Sequence, residues 1–221
     1  FIFNGFRFTL GGITLLPILL LYREQTAGET SWGHTIRIGA VAGLFLFFGA
    51  TFQQVGLVYT TAGKAGFVTG LYVVIVPLMG IFWGDRAPLQ TWLGAILAVT
   101  GLYFLSITER FTLAPGDGYE LLGAFFWAGH VQFIANFSKK HHPIRLSFVQ
   151  SLVTALMSFA VGLIFEEASL PMIRQAIIPI VYGGVISIGL AYTLQLVAQQ
   201  TARPTHAAIL LSLEAVFAVV W

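Results

Sequence analysis

A helix needs about 20 predominantly apolar residues to cross the hydrocarbon of a bilayer, and this chain of 221 residues supplies such a run eight times. The runs cover approximately 1–22, 36–59, 65–84, 89–107, 118–138, 146–165, 175–199 and 204–221. Each is continuous, so helices are expected rather than the short alternating strands of a membrane barrel. Composition closes the soluble alternative. Hydrophobic residues make up 57% and charged residues 9%, against about 25% charged in ordinary soluble domains. That is too little charge to cover a water-facing surface. The expected fold class is an all-α, multi-pass membrane protein whose solvent is the lipid bilayer.

Charge and turn residues gather in the connectors 23–34, 84–88, 108–118, 138–145 and 166–174. The loops of one side hold Arg23, Arg37, Arg86, Lys139, Lys140, Arg145 and Arg203, and those of the other hold Lys64, Arg110 and Arg174. Cytoplasmic loops are enriched in Lys and Arg. The first set, with Lys139, Lys140 and Arg203, is therefore expected in the cytoplasm, Phe1 at the outer face, and the chain in the cell (plasma or inner) membrane. Trp32, Trp83 and Trp92 fall at the inner interface of this arrangement, where indoles settle. Trp127 falls in mid-span. The chain starts at Phe1 and stops at Trp221, each inside an apolar run, and reads as a piece of a longer one.

Several chemistries are excluded or unsupported. Cys is absent, which removes disulfides, thiolate metal sites and cysteine nucleophiles. The pair His141-His142 has no acidic companion and stands beside Lys139 and Lys140, so a solvated basic loop is expected there, not a metal site. No Walker A, GxGxxG, HExxH or GxSxG pattern occurs. Gly116-Asp117-Gly118 lacks a third glycine and reads as a loop. The net charge of +2 comes without a basic stripe interleaved with aromatics, so no nucleic-acid partner is expected.

The chain matches itself at a shift of 140 residues. Phe8 meets Phe148, Thr14 meets Thr154, Leu16 meets Leu156, Ile38 meets Ile178, Gly43 meets Gly183, Gly49 meets Gly189, and Thr61-Ala62 meets Thr201-Ala202. The first copy begins at the outer side and the second at the inner side, so the repeat is inverted. Inverted repeats are the signature of alternating-access carriers, with a substrate site near the midplane between halves. An equivalent of span 118–138 is expected before Phe1, and one of span 89–107 after Trp221, giving ten helices as five plus five.

Four motifs carry a family resemblance. The run from Tyr59 to Leu78, with Thr60-Thr61-Ala62-Gly63-Lys64-Ala65-Gly66-Phe67-Val68-Thr69-Gly70 at its head, resembles the third-to-fourth helix segment of EamA-type transporters, in the drug/metabolite transporter superfamily. Gly84-Asp85-Arg86 followed by Trp92-Leu93-Gly94-Ala95 resembles the short inner loop and fifth helix of that family. Gly118-Tyr119-Glu120-Leu121-Leu122-Gly123-Ala124 resembles the sixth helix, and Leu211-Ser212-Leu213-Glu214-Ala215-Val216-Phe217-Ala218 the ninth. The family usually has Pro where this chain has Ala215; the first copy keeps it as Pro77. The resemblance implies two repeats, 1–110 (helices 2–5 of the family pattern) and 118–221 (helices 6–9), in one membrane bundle. It also implies a carrier of small metabolites that works without ATP, and hence neither an enzyme nor a cofactor protein.

Polar residues inside the spans are the candidate site, because such residues are costly in lipid and face a cavity or a partner. Glu214, about eleven residues into the last span, is the proton-coupling or substrate-contacting candidate. Arg7 would hold a substrate carboxylate or phosphate, and His130 would carry protons. Tyr192, Gln195 and Gln199 follow i, i+3, i+7 on one helix face, and at the 140 shift meet Phe52, Val55 and Tyr59. One polar and one aromatic wall suit an amphipathic metabolite such as an amino acid. Thr69 and Tyr72 would line the opposite wall, and Pro77 would hinge a gate. Gln132 and Asn136 are expected to join helices, and Gly39/Gly43, Gly66/Gly70 and Gly80/Gly84 to let helices approach closely.

The expected function is secondary transport of amino acids or related small amphipathic compounds, including drug or metabolite efflux, by alternating access with proton coupling. A structural or regulatory membrane module is the first alternative, and would need Glu214 for assembly and not for flux. An integral-membrane enzyme is the second. It needs acids and histidines clustered near one interface, where the spans offer Glu214, His130 and Arg7 at different depths. A homodimer is compatible with all three readings.

Overall fold

The computed structural model describes residues 1–21, 31–85, 87–106, 114–167 and 169–220. The expectations that fall on Arg23, Arg86 and Arg110 lie outside the described residues. Every regular element among the described residues is helical. In chain order these are α1 (Ile2–Leu21), α2 (Trp32–Tyr59), α3 (Ala62–Gly70), α4 (Tyr72–Phe82), α5 (Leu89–Ser106), α6 (Pro115–Phe137), α7 (Pro143–Phe165), α8 (Leu170–Gln175) and α9 (Ile177–Val181). A π-helical segment (Tyr182–Tyr192), α10 (Thr193–Gln199) and α11 (Pro204–Val220) follow. Among the described residues five stretches are long and apolar enough to cross a bilayer: Ile2–Leu21, Trp32–Tyr59, Ala62–Phe82, Pro143–Phe165 and Ile177–Gln199. Leu89–Leu105 is a shorter apolar helix.

Helix ends differ from expectation where local chemistry favours an earlier start. Proline preorganises the first helical turn, where its missing N–H costs nothing. So α7 begins at Pro143 and α6 at Pro115. Gly116-Asp117-Gly118 is consequently the first turn of α6 and not the expected loop. α2 begins at Trp32, which takes Arg37 into the helix. The expected span 65–84 is interrupted at Leu71. It ends in a Schellman motif, in which the Asp85 N–H bonds the Gly80 carbonyl and the Gly84 N–H bonds that of Ile81, both made possible by Gly84 at φ 81°.

The helices form two compact units, Phe1–Phe47 with Asn136–Thr201 and Phe48–Ala135 with Ala202–Trp221. Neither unit coincides with a sequence repeat; each draws helices from both.

In the first unit α1 packs along α7 and along the π segment. A Cβ on Gly43 would lie 2.8 Å from the Gln150 carbonyl, and one on Gly184 would lie 2.6 Å from Leu10 Cβ. Gln150 stands 140 residues from Leu10 and Gly43 stands 140 residues from Gly183, the neighbour of Gly184, so a glycine contact of the same kind recurs with the repeats exchanged, one residue out of register. The Thr154 hydroxyl donates to the Gly43 carbonyl at 3.0 Å across the first of these contacts.

The second unit has an aliphatic core of Val73, Ile75 and Val76 from α4, Ala124, Ala128 and Val131 from α6, and Ala208 from α11. α2 and α6 meet through glycines two turns apart on each. A Cβ on Gly116 would strike the Gly56 carbonyl, and one on Gly123 would lie 3.4 Å from the Gly49 carbonyl. These four glycines bring the α6 backbone onto α2 and so set the depth of every side chain on that face. Of the expected small-residue pairs, Gly39/Gly43 and Gly70 and Gly80 do meet neighbours, whereas Gly66 and Gly84 face open space.

Candidate functional site

A cluster of buried polar groups lies at the head of α6 in the second unit. Asp117 and Glu120 are separated by one helical turn and are 6% and 0% exposed. Asp117 accepts the Thr60 hydroxyl at 2.6 Å and the Ala114 N–H at 2.8 Å, and its other contact is the Lys64 ammonium at 3.3 Å. Thr60 and Lys64 come from the α2–α3 connection, where the Thr61 hydroxyl caps α3 by accepting the Lys64 N–H. Burial pushes the Asp117 carboxyl up, but the Ala114 amide, the Thr60 hydroxyl and the Lys64 ammonium more than offset it and hold the carboxyl below its ordinary value near 3.8.

Glu120 lies one turn deeper, about 4.5 Å further along the helix axis. The Thr69 hydroxyl donates to its Oε2 at 2.7 Å. Its Oε1 is buried and has no hydrogen-bond partner among the described residues. That oxygen fits only because Gly56 has no side chain: a Cβ there would stand 2.5 Å away. Thr69 is placed for this contact two residues before the helix interruption at Leu71.

Of the expected site residues in this unit, only Thr69 reaches the cluster. Tyr72 is half-buried beside the aliphatic core. His130 is 4% exposed on α6. Pro77 is buried in α4, and the residue before it, Val76, accepts a hydrogen bond from the Gln132 side-chain amide at 2.8 Å, so Gln132 does join helices as expected. Tyr59 is 56% exposed and pairs with the ring of Tyr119. Glu214 is exposed on α11, as are Leu213, Val216 and Phe217.

In the first unit Gln199 is 1% exposed, and neither atom of its amide has a hydrogen-bond partner among the described residues. Tyr192 and Gln195 are half-buried on the same helical stretch. The Arg7 guanidinium lies over the Phe3 ring, and its buried Nε, next to Gly183, has no hydrogen-bond partner among the described residues. The expected solvated loop at His141-His142 is corrected by the structure. His141 is 5% exposed, shares a hydrogen bond with the Thr35 hydroxyl at 3.0 Å and stacks on His34. The Gln200 amide donates to the His141 and Ser138 carbonyls, which fixes this turn.

Asp117 and Glu120 are the polar residues the sequence reading passed over. The signal was present: two acids at i, i+3 directly after a proline, with Thr60, Lys64 and Thr69 bracketing a helix start elsewhere. An acid pair at a helix N-terminus is also ordinary helix-dipole chemistry, and only the packing of α2 and α3 distinguishes the two cases.

Long apolar helices, five stretches of them among the described residues long enough to cross a bilayer, define a multi-pass membrane protein. The EamA-like transporter family model matches residues 1–107 and again 114–221, and the chain belongs to that family. It is 32% identical over 219 residues to an uncharacterized transporter of Archaeoglobus fulgidus, an alignment that covers 99% of this chain and 66% of that protein. The chain thus spans just under two thirds of that relative's length. A solved crystal structure superimposes with a TM-score of 0.76 at 19% identity, covering 97% of this chain and 74% of the other, and so shares its fold.

Proposed function

We propose that this chain is the greater part of a secondary transporter of small amphipathic metabolites, amino acids or their relatives. It would work by alternating access in a ten-helix, five-plus-five inverted-repeat fold. The observation that carries the reading is the Gln199 amide, 1% exposed with neither polar atom hydrogen-bonded among the described residues. A helix that served packing alone would satisfy or replace such a group, because an unpaired buried amide costs about 1–3 kcal/mol. A substrate that supplies a donor and an acceptor would complete it. In this reading Tyr192, Gln195, Gln199 and Arg7 are the substrate-contacting residues of the first unit, with Arg7 receiving an acidic group, and Thr69, Tyr72, Tyr59 and His130 are those of the second. Glu214 is a further carboxylate within reach of substrate or proton, and Pro77 is the hinge. Membership of a transporter family and a relative named as a transporter support the reading. The Lys139-Lys140 and Arg203 loops would face the cytoplasm of a cell membrane.

The test is counterflow in proteoliposomes of the full-length protein, with a panel of radiolabelled amino acids and related metabolites. Exchange of at least one compound is expected, with weaker apparent affinity in Gln199→Leu. A panel that moves no compound in wild type, while the protein remains folded and monodisperse, would overturn the substrate class.

A further inference from the structure

Glu120 is used by none of the substrate contacts above, yet it is the most completely buried acid among the described residues. One oxygen is engaged by Thr69, and the other lies against Gly56 with no hydrogen-bond partner among the described residues. A carboxylate enclosed this way in a membrane-embedded helix is far costlier than the neutral acid.

The groups that face it can be named element by element. From its own helix the charge is Asp117, one turn toward the helix start. From α3 the contacts are the Thr69 hydroxyl and, further out, the Lys64 ammonium, which is committed to Asp117 and not to Glu120. From α2 the contact is the Gly56 backbone, with Tyr59 nearly one turn on and exposed. Among the described residues no cation forms an ion pair with Glu120. The compensated acid, Asp117, stands between it and the Thr60–Lys64 segment. The arrangement is a two-step ladder: an outer carboxylate kept charged by a lysine, and an inner carboxylate with one vacant oxygen.

We propose that Glu120 is a proton-binding site of this protein, loaded on Oε1 past the Thr60–Asp117–Lys64 cluster and emptied by the same atoms. The step forms one O–H bond on the carboxylate and takes its proton from hydronium, with no other reactant. Thr69 stays on Oε2 in both states and holds the carboxyl plane. The interruption at Leu71, two residues beyond Thr69, lets α3 shift that hydroxyl relative to α4 as the charge of Glu120 changes. The coupling role rests on the transport reading above: proton occupancy of Glu120, and not of Glu214, is what a pH gradient would drive.

Two measurements on the full-length protein test this independently. The first is infrared difference spectroscopy between acidic and alkaline buffer, with water as the only probe. A carboxylic C=O band that shifts in D2O is expected in wild type, retained in Asp117→Asn and absent in Glu120→Gln. Glu120→Gln mimics the neutral acid in shape, and its size-exclusion profile checks folding. Absence of the band in wild type, or its persistence in Glu120→Gln, overturns the site.

The second measurement is accumulation of the counterflow substrate under an imposed pH gradient. Glu120→Gln is expected to accumulate no more with the gradient than without it, whereas wild type and a variant of the exposed Glu167, Glu167→Gln, still respond. Gradient-driven accumulation in Glu120→Gln overturns the coupling role. If no compound moves at all, the transport reading fails while the infrared result still decides the proton site.

Discussion

Gln132 on α6 donates its side-chain amide to the Val76 carbonyl of α4 at 2.8 Å, one residue before Pro77. Pro77 supplies no N–H to its own helix, and a Cβ on Gly80, one turn on, would lie 2.7 Å from the same Gln132 nitrogen. The glycine therefore opens the slot through which α6 grips the proline-bearing helix. Interhelical hydrogen bonds in membranes average about 0.6 kcal/mol and reach about 1.7. Gln132→Leu is expected to lower stability within that range, read as a drop in thermal midpoint in detergent. An unchanged midpoint would show that the bond adds nothing to the fold.

The α2–α6 contact makes an opposite prediction for two glycines of one helical turn. A Cβ on Gly116 would lie 2.8 Å from the Thr60 nitrogen and the Tyr59 carbonyl carbon, and these are backbone atoms that cannot rotate away. Gly118 has nothing within 4 Å. Gly116→Ala should cost about 1–3 kcal/mol as overpacking, whereas Gly118→Ala should be neutral or gain up to about 1 kcal/mol of helix propensity. Paired thermal-shift curves decide it, and equal midpoints for the two variants would refute the close approach.

Asp117 predicts an acid limb of stability. Its folded carboxyl titrates below its ordinary value near 3.8. A depressed folded pKa contributes stability that is present above the unfolded pKa and lost as pH falls through the folded one. Wild-type thermal midpoints should therefore begin to fall below about pH 5. Asp117→Asn should start lower at neutral pH and show a flatter acid limb. Parallel limbs in the two proteins would remove Asp117 from the cause.

Gln199 separates function from stability. Its amide has no hydrogen-bond partner among the described residues and is 1% exposed, so an apolar residue of similar volume relieves a desolvation cost of about 1–3 kcal/mol. Gln199→Leu should keep or raise the thermal midpoint while weakening substrate exchange. A fall in both would make Gln199 a structural residue.

Much of the fold was legible in linear order. Runs of apolar residues place the helices to within a few residues, because hydrophobic length is a local property, whereas the starts at Pro115 and Pro143 follow from proline chemistry that apolar length does not report. The candidate site was less legible. Thr69 was named with Tyr72 as a cavity wall, whereas its partner Glu120 stood in a family motif without being named as a site residue, since what buries that acid is Gly56, 64 positions earlier. His141 looked like part of a solvated basic stretch until Thr35, His34 and Gln200 were brought around it. Glu214 shows the converse: mid-span by counting, but exposed on its helix.

The sequence by itself determined that this chain lives in a membrane, that it is helical, that it repeats itself and which family it resembles. Those properties follow from side-chain transfer energies and local backbone preferences, which each residue carries wherever it is placed. Tertiary structure decided which polar groups are satisfied and which are left vacant. That depends on backbones meeting at distances set by single missing Cβ atoms, at Gly43, Gly56, Gly116 and Gly184. A carboxylate such as Glu120 is a capping residue or a buried titratable site according to what stands opposite it.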